Sequence, residues 1–229
     1  MRLLLFNPNT NAALTDQLAG VVQGRLGAGD ELEAVTAATG PAFIGSEETI
    51  RAARTNLAAE LPALARLHDA VLLGCFGDLA IAEARRQLEI PVISLWDACV
   101  QAARADEGKI GIVTTSRFWA EQLWRDAAKA RIDAAIGAIY PVATASASID
   151  QDAVAVAVRS LQGQAGIERI VFGGALLSAQ PAIIPKTLLP VVDLIGMAIA
   201  LCRRPDDALV VDRQGDKGQQ RASLCSRSK

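Results

Sequence analysis

Short apolar runs rich in Leu, Ile and Val alternate along the chain with longer segments whose apolar residues recur every three or four positions. The first pattern marks strands buried on both faces; the second marks amphipathic helices. Residues 2–6 predict a strand, stopped by the turn signal Asn7-Pro8-Asn9-Thr10. A helix follows, with Thr10 or Asn11 as N-cap and Leu14, Leu18, Val21, Val22 and Leu26 along one face. Residues 31–37 predict a strand and 47–67 a long helix. Residues 70–73 predict a strand running into Gly74-Cys75-Phe76-Gly77-Asp78. A helix over 79–88 capped by Asp78, a strand over 91–95 and a helical stretch around 96–100 follow.

The alternation then restarts. Strands are expected over 110–113, 138–142, 170–172 and 191–192, and helices over 118–132, 153–161 and 194–201. From Pro205 the chain turns polar, and a strand or loop followed by a frayed end is expected. Such alternation predicts an α/β fold of parallel sheets with helices on both faces.

The halves also resemble each other. Val71-Leu72-Leu73-Gly74-Cys75 matches Ile170-Val171-Phe172-Gly173-Gly174, and Pro91-Val92-Ile93-Ser94-Leu95 matches Pro190-Val191-Val192-Asp193-Leu194. Both matches share one offset, that from 75 to 174. This repeat predicts two similar lobes related by a pseudo-twofold axis. The boundaries expected are 1–97 plus 195–229 for the first lobe and 98–194 for the second. Ligands of such sheets sit at the carboxyl ends of the strands. Cys75 and Gly174 are thus expected to face each other across the cleft.

Composition narrows the function. The 229 residues are 51% hydrophobic and 21% charged, which excludes disorder as the main state. Lys and Arg number 23 against 25 Asp and Glu, a net charge of −2, so no nucleic-acid surface is expected. The apolar start is stopped at Asn7, short of a signal peptide, and the run over 188–202 is interrupted by Pro190 and Asp193. The chain reads as cytoplasmic, away from membranes, with a small molecule as partner and a homo-oligomer as a further possibility.

Cys75 is the leading candidate for chemistry. It lies between Gly74 and Gly77 at a strand end, before a predicted helix. Glycines let the backbone turn and expose N–H groups, and a nearby helix N-terminus favours the thiolate. A thiolate serves as nucleophile or as carbon-acid base. The competing reading is a small buried hydrophobe. Cys99, Cys202 and Cys225 show no metal-ligand spacing and are expected as free thiols. His68 precedes the strand, at the end away from Cys75. Lys186 reads as a solvated loop residue, and Arg85 and Arg86 as lying on a solvent-facing helix. No G-x-G-x-x-G follows the first strand and no phosphate loop occurs, so no cofactor is expected. Asn7-Pro8-Asn9-Thr10 and Thr114-Thr115-Ser116 end two strands; they suit helix capping and ligand binding alike.

Four blocks, Phe6-Asn7-Pro8-Asn9-Thr10, Gly40-Pro41-Ala42-Phe43-Ile44, Cys75-Phe76-Gly77-Asp78 and Ile90-Pro91-Val92-Ile93, resemble the aspartate/glutamate/hydantoin racemase superfamily, nearest its hydantoin and allantoin racemases. The resemblance runs from about residue 2 to 201. It implies two Rossmann-like lobes, a site between them, and cofactor-free proton transfer by two cysteines flanking a carbon acid. Cys75 matches the first cysteine. Asn7, Asn9, Phe43, Phe76, Gly77, Thr114, Thr115, Gly174 and Ala175 fall in or beside pocket blocks. The second cysteine of the pattern falls on Gly174, which supplies no proton; Ser178 lies four residues further on. The expected activity is a racemase or epimerase on an amino-acid-like or hydantoin-like compound. The alternatives are single-thiol decarboxylation, isomerisation or hydrolysis on the same scaffold, or a ligand-binding relative without catalysis.

Overall fold

The computed structural model describes residues 1–79, 81–105, 108–142 and 149–204. The tail from Pro205, with Cys225, lies outside the described residues. The first half runs β1 (Arg2–Asn7), α1 (Ala12–Gln23), β2 (Glu31–Thr36), α2 (Glu47–Leu64), β3 (Ala70–Leu73), α3 (Ile81–Gln87), β4 (Val92–Ser94) and α4 (Leu95–Arg104). The second runs β5 (Lys109–Thr114), α5 (Arg117–Ala130), β6 (Ile136–Pro141), α6 (Gln151–Gln162), β7 (Ile167–Gly173), α7 (Ala175–Ser178) and α8 (Leu194–Arg203). All strand pairs are parallel, in the orders β2-β1-β3-β4 and β6-β5-β7.

The two sheets share a register. Val71 pairs with Val92, and the Val71 N–H donates to the Pro91 carbonyl at 2.8 Å. In the second sheet Ile170 bridges Val191, and its N–H donates to the Pro190 carbonyl at 2.9 Å. Each of these residues is displaced from its counterpart by the offset read in the sequence. The predicted strand at 191–192 is thereby reduced to a single bridge. Pro190 has no N–H to extend it, and Asp193 already caps α8 by accepting the Gly196 N–H at 3.1 Å.

Local chemistry places the helix starts. Asn11, Ser46, Ser94, Ser116 and Asp150 each accept a backbone N–H from the first turn of α1, α2, α4, α5 and α6. Ser94 and Asp97 form a reciprocal capping box that stops β4 after three residues and starts α4 at once. The predicted helix over 47–67 ends earlier as an α-helix, its last three residues tightening into a 3-10 turn.

A continuous apolar cluster joins the sheets. Leu3, Leu5, Leu72, Ile110, Ile112 and Val171 meet Leu18, Cys99, Leu123, Ala198 and Cys202 from the intervening helices. Helix α8 packs on β3 and β4 of the first sheet as well as on α4. Leu72 is 1% exposed, and Leu72→Ala would cost about 2–5 kcal/mol through lost burial and the cavity left behind. This rigid support brings the carboxyl ends of β1, β3, β5 and β7 around one cleft. Among the described residues no helix is long and apolar enough to cross a membrane.

Candidate active site

The cleft has a volume of about 50 Å³ and is lined by residues from both halves. Asn9, Phe43, Gly74, Cys75 and Phe76 come from the first, and Thr115, Trp119, Gly174 and Ala175 from the second. Of the residues expected at the pocket, Asn9, Phe43, Cys75, Phe76, Thr115, Gly174 and Ala175 line it.

Asn7, Gly77 and Thr114 stand behind this wall. Asn7 is fully buried, and its amide donates to Asn9 Oδ1 and Thr15 Oγ1, both at 3.0 Å. Asn9 Oδ1 also accepts the Asn11 N–H at 2.9 Å. Asn7 thus shapes the turn while Asn9 faces the cleft. Thr114 ends β5, and its carbonyl accepts the Val142 N–H at 2.7 Å. Gly77 has φ +131°, and a Cβ there would stand 2.5 Å from the Trp119 ring. Only glycine makes this turn without strain or collision.

Cys75 is 7% exposed and sits among Ile44, Ile50, Ala53, Leu79 and Trp119. Burial pushes its thiol up to about 12, against the pull of the Phe76 N–H on the sulfur; the Asp126 charge pushes it further. The sequence left two expectations, a thiolate favoured by a nearby helix and a small buried hydrophobe, and the burial matches the second environment. The described helix α3 begins at Ile81, after the Gly77 turn.

Gly174 occupies the matching place in the second sheet. It lies four residues after Ile170, as Cys75 lies four after Val71, and begins α7 as its N-cap. Its backbone is extended, with φ 162° and ψ 139°, a conformation open to any residue. Neighbouring Gly173 allows the close approach of Phe76, whose ring would stand 2.6 Å from a Cβ there. Phe76 also meets Trp96 edge-on, with ring centroids 5.5 Å apart. Ser178 is turned away: its hydroxyl donates to the Phe172 carbonyl at 3.2 Å, and it lines a separate cavity with Arg25 and Ile184.

Trp119 escaped the sequence reading, and Ile44 entered it only as the end of the Gly40-Pro41-Ala42-Phe43-Ile44 block. The Trp119 indole N–H donates to the Ile44 carbonyl at 2.8 Å, tying α5 to the loop after β2. That Trp119 lies three residues after the Ser116 cap was a usable signal for its place near the strand end. Arg85 departs from expectation. It is largely buried, and donates to the Val92 carbonyl at 2.9 Å and to Asp97 at 2.8 Å, because α3 packs on β4. Arg86 and Lys186 are on the surface. His68 lies at the opposite end of β3, with Nδ1 2.9 Å from the Leu64 carbonyl. Cys75, Cys99 and Cys202 are free thiols. Among the described residues no group of three or more His, Cys, Asp or Glu side chains is placed to hold a metal ion.

The family model for Asp/Glu/hydantoin racemases matches residues 3–202. A hydantoin racemase of Paenarthrobacter aurescens is 28% identical over 116 residues, 50% of this chain and 49% of that protein. The match therefore spans about half the length of that relative. Allantoin racemase from Pseudomonas fluorescens superposes with a TM-score of 0.77 at 19% identity, covering 89% of this chain and 90% of that one. Allantoin racemase from Klebsiella pneumoniae gives 0.75 at 19% identity, covering 89% and 86%. These structures share the α/β fold of parallel sheets.

Proposed function

The chain belongs to the Asp/Glu/hydantoin racemase family, and on that footing we propose that it is a cofactor-independent isomerase of the racemase or epimerase type. Its substrate is a small hydantoin-like or amino-acid-like carbon acid, and Cys75 is its acid/base group. The observation that carries this reading is the Cys75 sulfur in the wall of a cleft built from both sheets.

The chemistry follows from the surroundings. Removing a proton from carbon beside a carbonyl places negative charge on oxygen, and catalysis depends on groups fixed where that charge develops. Asn9 and Thr115, both largely buried, supply polar groups in the wall. A thiol held near 12 is seldom ionised at neutral pH, but once ionised it is a strong base toward a weakly acidic C–H bond. The Phe76 N–H favours that ionised state.

Inversion also needs a proton delivered to the opposite face, and Gly174, the residue at the matching register of the second sheet, carries none. This observation favours a second reading, in which only the Cys75 face works and the reaction is a single-thiol isomerisation or decarboxylation. Incubation of enantiopure 5-substituted hydantoins, allantoin, aspartate and glutamate in D₂O separates the two. The racemase reading expects deuterium at Cα together with loss of optical rotation. Exchange with retained configuration supports the one-sided reading, and no exchange in any compound overturns the racemase reading.

A further inference from the structure

Asp126 lies on α5, among residues of the second half, yet its carboxylate reaches the turn that carries Cys75. Its side chain is 1% exposed. Oδ2 accepts the Asp78 backbone N–H at 3.2 Å, while Oδ1 accepts from Gln122 at 2.9 Å and Lys129 at 3.4 Å. On the other side of the same residue, the Arg54 guanidinium on α2 donates to the Asp78 carbonyl at 3.0 Å. One residue of the Cys75-Phe76-Gly77-Asp78 turn is therefore held between a buried acid and a base from different elements.

We propose that Asp126 is a positioning residue for Cys75, holding the turn behind the sulfur through Asp78 and linking the proton on the thiol to its own. This rests on the reading of Cys75 as the acid/base group. A buried carboxylate disfavours a second negative charge nearby, and the Asp126 charge acts to raise the Cys75 thiol. Burial holds the Asp126 carboxyl above its ordinary value, with the Asp78 N–H and Lys129 opposing. The other charged groups around it are Asp78 on the turn, Arg85 on α3 and Asp97 on α4, which share with it a cavity of about 170 Å³. Arg85 and Asp97 are bonded to each other at 2.8 Å, and Lys129 lies 3.4 Å from the Asp126 carboxylate.

Alkylation of Cys75 by iodoacetamide, followed by peptide mass spectrometry across pH, tests this without a substrate. Asp126→Asn keeps an acceptor for the Asp78 N–H and removes the charge. It should move the Cys75 profile to lower pH, raising the alkylation rate at about pH 8 by about threefold or more. Asp126→Glu should restore the parent profile. Lys129→Met, at a largely exposed position that tolerates change, should move the profile slightly the other way. Profiles that superpose in Asp126→Asn and Lys129→Met overturn the proposal. A shifted profile in a chain that exchanges no Cα proton would retain it and sink the racemase reading instead. Turnover with superposed profiles would do the reverse.

Discussion

A Cβ built on Gly174 stands 3.2 Å from Cγ2 of Thr115, and its next neighbour, Leu177 Cδ1, is 3.8 Å away. The space takes a small side chain once Thr115 gives by a few tenths of an ångström. Gly174→Cys should therefore fold and place a thiol opposite Cys75. We expect racemisation to rise about tenfold or more, the scale of a positioned proton donor. Gly174→Ala fills the same space without a proton and should show no gain. Equal rates in the two folded variants, measured by polarimetry, would remove Gly174 from its assigned place.

Cys75→Ser exchanges the thiol for a hydroxyl that does not ionise in the working range. Turnover should fall by about 10²–10⁴-fold while the melting temperature stays close to the parent value. Retention of a tenth of the parent rate in the D₂O exchange assay would show that another group carries the proton.

The Gly77 turn and Trp119 are mutually fitted. Gly77→Ala combines a positive φ with a collision against the ring, and should cost about 2 kcal/mol or more. Trp119→Phe keeps the packing but leaves the Ile44 carbonyl without its donor, at a cost of about 1 kcal/mol, and should speed proteolysis of the loop at residues 38–45. Urea denaturation checks both. An unchanged midpoint for Gly77→Ala would mean that the turn relaxes away from the ring.

Alkali should unfold the protein through its buried thiols. Cys75 and Cys202 are each pushed by burial from 9.0 to about 12, and Cys99 is pushed up for the same reason. An unfolded chain releases these protons near pH 9.0, whereas the folded chain holds them to about 12. Their contribution is complete below about pH 9 and is lost as the pH climbs towards 12. Denaturation midpoints measured from about pH 8 to 11 should decline, and Cys202→Ala should flatten the slope. A flat parent profile would show that the thiols ionise as freely folded as unfolded.

The architecture was legible because parallel strands must be apolar on both faces, so β1, β3, β5 and β7 stand out as unbroken runs. The repeat added the register, since Val71 and Ile170 carry the same neighbours at the same steps. Cys75 and Gly174 followed from that geometry. Trp119 and Ile44 did not, because an apolar cleft wall and an apolar core draw on the same residue types. Arg85 was misjudged because its partner Asp97 lies beyond β4, and only the packing of α3 brings the two together. The environment of the thiol was likewise out of reach, since only the fold brings Ile44, Ile50, Ala53, Leu79 and Trp119 around the sulfur, and that burial is the main cause raising it.

Seating Cys75 and Gly174 at one register has an evolutionary consequence. Two of the four glycine codons lie a single base from cysteine, and the extended backbone of Gly174 is open to either residue. On the proposed reading of Cys75, a lineage on this scaffold can gain or shed a second proton relay by point mutation. One-sided and two-sided enzymes are then neighbours in sequence space, with no remodelled ancestor required between them.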